Sequence, residues 1–70
     1  MDRETLERLV QERNLLRERM DKLEAFIQMS DVYQNLTLID RILLKNQLDA
    51  MIRYYEVLSI RIERGRENGN

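Results

Sequence analysis

The sequence predicts an all-α protein: two long antiparallel helices, a helical hairpin with a short helical turn in the link, assembling into a helical oligomer. Three observations carry that expectation. No proline occurs in 70 residues, so no proline breaks a helix from within. Two apolar series alternate steps of three and four residues. The first is Leu6, Leu9, Leu16, Met20, Leu23 and Ile27, with Arg13 in the remaining slot; the second is Leu44, Leu48, Met51, Tyr55, Leu58 and Ile62. That alternation is the spacing of a coiled-coil seam. Finally, the second helix is apolar well beyond its seam, through Ile39, Ile42, Leu43, Ala50, Ile52, Tyr54, Val57 and Ile60. One partner helix cannot cover so wide an arc, and each large side chain left wet forgoes roughly 1.5–3 kcal/mol. A second interface, between chains, is the expected remedy.

A single unit over residues 1–64 is expected, with helix 1 at about 3–28, a link at 29–37 and helix 2 at about 38–64. Asp2 suits the N-cap of helix 1, and Glu4 and Glu7 lie near the positive end of its dipole. Glu4–Arg8, Arg8–Glu12, Arg17–Asp21 and Glu18–Lys22 are spaced for ion pairs on its outer surface, each worth roughly 0.2–0.5 kcal/mol. In the link, Ser30 and Asp31 are placed to cap one short turn, with Tyr33 and Leu36 folding over the hairpin end. Thr37 then caps helix 2, with Asp40 at the third helical position of a capping box. Gly65 reads as the helix stop, and residues 65–70 as a flexible tail.

Composition excludes several function classes. Twelve basic residues against 13 acidic ones give a net charge of −1, without the basic excess expected of a duplex nucleic-acid binder. Histidine and cysteine are absent, which removes disulfides, thiolate or imidazole metal sites and any nucleophile–histidine pair. The carboxylates are spread as surface partners, and no glycine-rich loop is present to cradle a triphosphate. No enzyme, cofactor or metal is therefore expected. No apolar run is long enough to span a bilayer, and the charged opening Met1-Asp2-Arg3-Glu4-Thr5 is unlike a signal peptide. A cytoplasmic protein without membrane contact is the expectation.

Few side chains stand out as candidates for chemistry. Arg13 occupies a seam slot, and a charge is not buried without a partner. It serves register control or a carboxylate on a neighbouring helix, or else it points into a pocket that holds an anion. Arg17, Arg19 and Lys22 follow along the same helix, either as a solvated face broken up by Glu12, Glu18 and Asp21 or as a phosphate clamp completed by symmetry copies. Tyr54 and Tyr55 project about 100° apart. Tyr55 belongs to the seam, whereas Tyr54 lies toward the second face, where it packs against a neighbour or stacks on a base. Tyr33 in the link is expected to be more exposed and is a further stacking candidate. Gln47 shares a side with Ala50, Met51 and Tyr54, marking a close helix approach or a ligand contact.

The order of residues along both helices also resembles a known family. The stretch Arg8-Leu9-Val10-x-Glu12 through Met20-x-Lys22-Leu23-x-Ala25-Phe26-Ile27 is followed by Tyr33 and Leu36 in the link. Then comes Asp40-Arg41-x-Leu43-Leu44-x-x-Gln47-Leu48-x-Ala50-Met51-x-x-Tyr54-x-x-Val57-Leu58-x-x-Arg61-Ile62. This resembles the crAss-phage-related family of small phage proteins, which includes the anti-CBASS sponges for cyclic oligonucleotide second messengers. The resemblance covers about Leu6 to Ile62, and its most specific part is the Gln47–Met51–Tyr54–Leu58–Arg61 spacing. It implies a homo-oligomer, a hexamer, that holds cyclic di- or trinucleotides at protomer interfaces without cleaving them. An aromatic near the start of helix 1 is implied to stack on a base; here Thr5 or Leu6 stands in that place, and no aromatic precedes Phe26. The implied basic contact on that helix maps onto Arg19 or Lys22, and Arg61 matches a C-terminal arginine of the pattern.

The leading expectation is thus a non-catalytic phage-type protein that sequesters a cyclic oligonucleotide and so antagonises host anti-phage signalling. Arg13, Arg19, Lys22 and Arg61 would meet phosphates, and Tyr33 or Tyr54 a base. The alternative is a structural helical adaptor that binds another protein through the broad apolar face of helix 2.

Overall fold

In the computed structural model, which describes residues 1–68, the chain folds into three helices in the order α1 (Arg3–Met29), α2 (Asp31–Gln34) and α3 (Leu38–Asn68). The long helices lie side by side and antiparallel in a rod of 50 × 15 × 13 Å. Capping residues set most of the boundaries. Asp2 is extended, and its Oδ1 accepts a 2.7 Å hydrogen bond from the Thr5 amide. Ser30 ends α1 and begins α2: its amide donates to the Phe26 carbonyl, and its hydroxyl accepts from the amides of Val32 and Tyr33. The Thr37 hydroxyl accepts from the Asp40 amide at 3.2 Å, which starts α3. Among the described residues Asp40 returns no bond to the Thr37 amide, so one half of the capping box forms.

The two seams meet as their spacing predicts. Leu16, Leu58 and Ile62 are buried, and the other seam residues, Arg13 included, are half-buried. The outer ion pairs are Arg8–Glu4 at 2.8 Å, Arg17–Asp21 at 3.2 Å and Arg3–Glu7 at 3.2 Å; neither Arg8–Glu12 nor Glu18–Lys22 forms among the described residues.

The expected end of helix 2 is corrected. Gly65 does not stop it: α3 continues through Arg66 and Glu67 to Asn68, while residues 69 and 70 of the expected tail lie outside the described residues. The reason is tertiary. Gly65 is buried seven residues beyond Leu58, in the same seam slot, where the start of α1 crosses α3. A Cβ at this position would lie 2.9 Å from the Met1 sulfur and 3.2 Å from Leu6 Cδ1. Here the glycine permits a close approach instead of a left-handed turn. The tight contact falls mainly on Met1, a flexible side chain that is itself half exposed and free to move. Gly65→Ala is therefore expected to leave stability within about 1 kcal/mol of the parent, the helix-propensity gain offsetting the contact. Gly65→Leu is expected to cost about 1–3 kcal/mol by overpacking. Urea unfolding of both variants checks this, and a neutral leucine variant would refute the close approach.

The cap also predicts a pH effect. The Thr5 amide and then the Thr5 hydroxyl bond the Asp2 carboxylate and hold its pKa below the ordinary 3.8. A depressed carboxylate stabilises the fold above its unfolded pKa and loses that contribution as pH falls through the folded value. The first turn of α1 is therefore expected to fray below about pH 4. The protection of the Thr5 amide against exchange, relative to its intrinsic rate at each pH, should fall there, and Asp2→Asn, which keeps the acceptor, should remove that fall.

Candidate functional site

A cleft runs along one side of the rod. It arises because each long helix carries a second series of residues beside its seam, again alternating steps of three and four. On α1 this series is Arg8, Glu12, Leu15, Arg19, Lys22 and Phe26; on α3 it is Asp40, Leu43, Gln47, Ala50, Tyr54, Val57, Arg61 and Arg64. Except for the half-buried Phe26, all of these residues are exposed in the single chain. Where the two series adjoin, Arg8, Gln11, Glu12, Leu15, Leu16, Arg19 and Tyr54 line a cleft of about 590 Å³. Tyr54 is 44 % exposed and Leu15 is 52 % exposed, so an aromatic ring and an apolar wall border two guanidinium groups and one carboxylate. A ligand with a flat ring and separate anionic groups matches that combination: its ring stacks on tyrosine, and its anionic groups pair with the forked donors of arginine.

The structure brings Arg19 and Tyr54 together and separates the other candidates. Lys22 is exposed three residues after Arg19, in the same series. Arg61 lies farther along α3 in a smaller cavity of about 220 Å³, with Met1, Arg64 and Gly65. That cavity holds two guanidinium groups and no carboxylate side chain.

Arg13 faces elsewhere. It lines a cavity of about 410 Å³ with Ser59, Ile62, Glu63, Arg66 and Glu67. Among the described residues it makes no ion pair, yet Glu63 and Glu67 balance the two arginines there. Such a balance leaves little net field to attract an anion. Arg17, one turn on, is bonded to Asp21 and lies 5.7 Å from the centre of the Tyr55 ring. Asp21 first, and then Tyr55, push its already high pKa further up.

Tyr33 is corrected. The expectation of an exposed stacking residue fails, because Tyr33 is 2 % exposed. Its ring packs 6.0 Å from that of Phe26, centre to centre, and its hydroxyl donates to the Arg41 carbonyl at 3.3 Å. Both the ring face and the polar tip are thus engaged in closing the hairpin end, and neither is free for a base.

Two arginines escaped the sequence reading. Its spacing assigns Arg8 to surface ion pairing, and it does pair with Glu4, but it also borders the cleft. The steps 8, 12, 15, 19 were the signal. Arg41 lies seven residues before Leu48, which extends the α3 seam by one turn, and its Nε is buried without a hydrogen-bond partner among the described residues. Among the described residues no group of three or more acidic, histidine or cysteine side chains could hold a metal ion, and no helix is long and apolar enough to cross a membrane.

A family model described as Sequestin matches residues 3–64, almost the full length of the chain. Neither a curated protein nor a solved structure matches.

Proposed function

The chain belongs to the Sequestin family, and from that premise we propose that it binds cyclic di- or trinucleotides without cleaving them and so withdraws a second messenger from host anti-phage (CBASS) signalling. The observation that carries this reading is the cleft that Arg8, Arg19, Leu15 and Tyr54 line together. A cyclic oligonucleotide offers matching chemistry: flat bases for tyrosine and a ring of phosphodiester anions for arginine. Lys22 extends the basic series, and Arg61 supplies a second basic point at the far end of the rod. The cleft contains no histidine, cysteine or other evident nucleophile–base pair, which fits capture better than turnover.

Self-association is part of the proposal. Ile42, Leu43, Ile52, Val57 and Ile60 are between 38 % and 59 % exposed along α3, on more than one side of the helix. Covering them requires other copies, and a closed homo-oligomer such as a hexamer would place each cleft beside a neighbouring subunit. Soluble oligomers concentrate few arginines per chain into positive pockets by symmetry, which reconciles a net charge of −1 with anion binding.

Calorimetric titration with a panel of cyclic di- and trinucleotides at moderate salt is the test. Saturable heat is expected, with the nucleotide recovered intact by chromatography afterwards. Heats at the dilution baseline across the panel, or recovery of linear products, would overturn the reading.

A further inference from the structure

We propose that a second copy of the chain packs antiparallel against the second series of α3, Asp40 to Arg64, so that Asp40 of each copy meets Arg64 of the other. This rests on the reading that copies associate and is independent of any nucleotide.

The face has the form of a helix–helix seam. Leu43, Ala50, Tyr54 and Val57 recur in steps of seven, four and three, as the inner seam does, yet Leu43 is 59 % and Val57 50 % exposed. Its two ends carry opposite charge. Asp40 stands at the N-terminal end, and Arg61 and Arg64 at the C-terminal end. None of the three is in an ion pair among the described residues. Parallel pairing would set like charges against each other at both ends, whereas antiparallel pairing sets acid against base twice. Juxtaposed like charges are penalised across an interface, and complementary ones fix its register.

That register has a further consequence. With Asp40 opposite Arg64, Ala50 falls opposite Tyr54 on both sides of the two-fold axis. The smallest side chain of the series then receives the largest, which is how facing layers interdigitate without voids. Leu43 falls opposite Arg61, whose aliphatic stem can cover it. From Asp40 to Arg64 the contact is about 36 Å long; at the 15 Å width of the rod it offers on the order of 500 Å² per partner, close to the ~1,000 Å² in total that a specific interface needs. Tyr54 is then shared: it packs against Ala50 of the other copy and borders the cleft, which lies at the boundary between copies.

Charge exchange tests the pairing without nucleotide. In Asp40→Arg the contact becomes Arg against Arg; in Arg64→Asp it becomes Asp against Asp. Each variant alone is expected to sediment at half the parent mass or less at micromolar concentration, with helical content retained by circular dichroism. An equimolar mixture restores both opposite-charge contacts between unlike chains and is expected to regain the parent mass. Rescue on mixing also shows that each variant is folded. A parallel pairing already sets like charges together in the parent, so it predicts no loss of mass in either variant alone. Variants that keep the parent mass alone, or a mixture that stays light, overturn the antiparallel pairing while leaving oligomerisation intact. A parent chain that is itself monomeric overturns both.

Discussion

Leu58→Ala is expected to destabilise the fold by about 2–5 kcal/mol, the cost of removing a buried leucine and leaving a cavity. Leu58 is 0 % exposed and sits toward the C-terminal end of the α3 seam, which packs on α1. A 70-residue chain has total stability on the order of 5 kcal/mol, so this one substitution should remove a large share of it. Ile60→Ala, two residues on, separates the hairpin from the assembly. Ile60 is 57 % exposed, and within a lone hairpin its truncation should cost well under 1 kcal/mol. If copies cover it, the loss should grow with protein concentration, because association and folding are then linked. Urea unfolding followed by circular dichroism at two concentrations reads both effects. A Leu58→Ala protein as stable as its parent would refute the seam packing.

Tyr54→Ala is expected to weaken cyclic-nucleotide binding by about 10- to 100-fold, in line with roughly 1–3 kcal/mol per base stacked on an aromatic ring. Arg19→Ala should weaken it at least tenfold and also flatten its salt dependence, since it removes a cation that neutralises phosphate. The control is Tyr33→Phe. Its hydroxyl is occupied by the Arg41 carbonyl and its ring by Phe26, so the variant should bind like the parent while losing about 1 kcal/mol of stability. Isothermal titration at two salt concentrations measures all three. Affinity lost in Tyr33→Phe and kept in Tyr54→Ala would invert the assignment.

The residues that were read correctly share one property: their environment follows from near neighbours in the chain. Asp2, Ser30 and Thr37 cap helices because a short polar side chain reaches an amide two or three residues on. The seams, and Arg13 within one of them, follow from a period that any helix imposes. The residues that were misread depend on contacts made across the fold. Tyr33 sits in a link, where exposure is the ordinary expectation, yet closure of the hairpin brings Phe26 and the Arg41 carbonyl to it from both long helices. Gly65 carries the usual signature of a helix end, but the start of α1 lies against it and the helix runs on.

By itself the sequence determined the hairpin, its caps, the two inner seams and the surplus apolar arc on α3. Each is written in spacings of two to seven residues, which the backbone converts directly into faces. Only the tertiary structure decided that Arg19 and Tyr54 share a cleft while Arg13 looks into a different, charge-balanced cavity. A helix assigns every side chain an angle about its own axis, but which angles on two helices adjoin depends on how the rods settle against each other. That relation is fixed by packing among residues far apart in the chain.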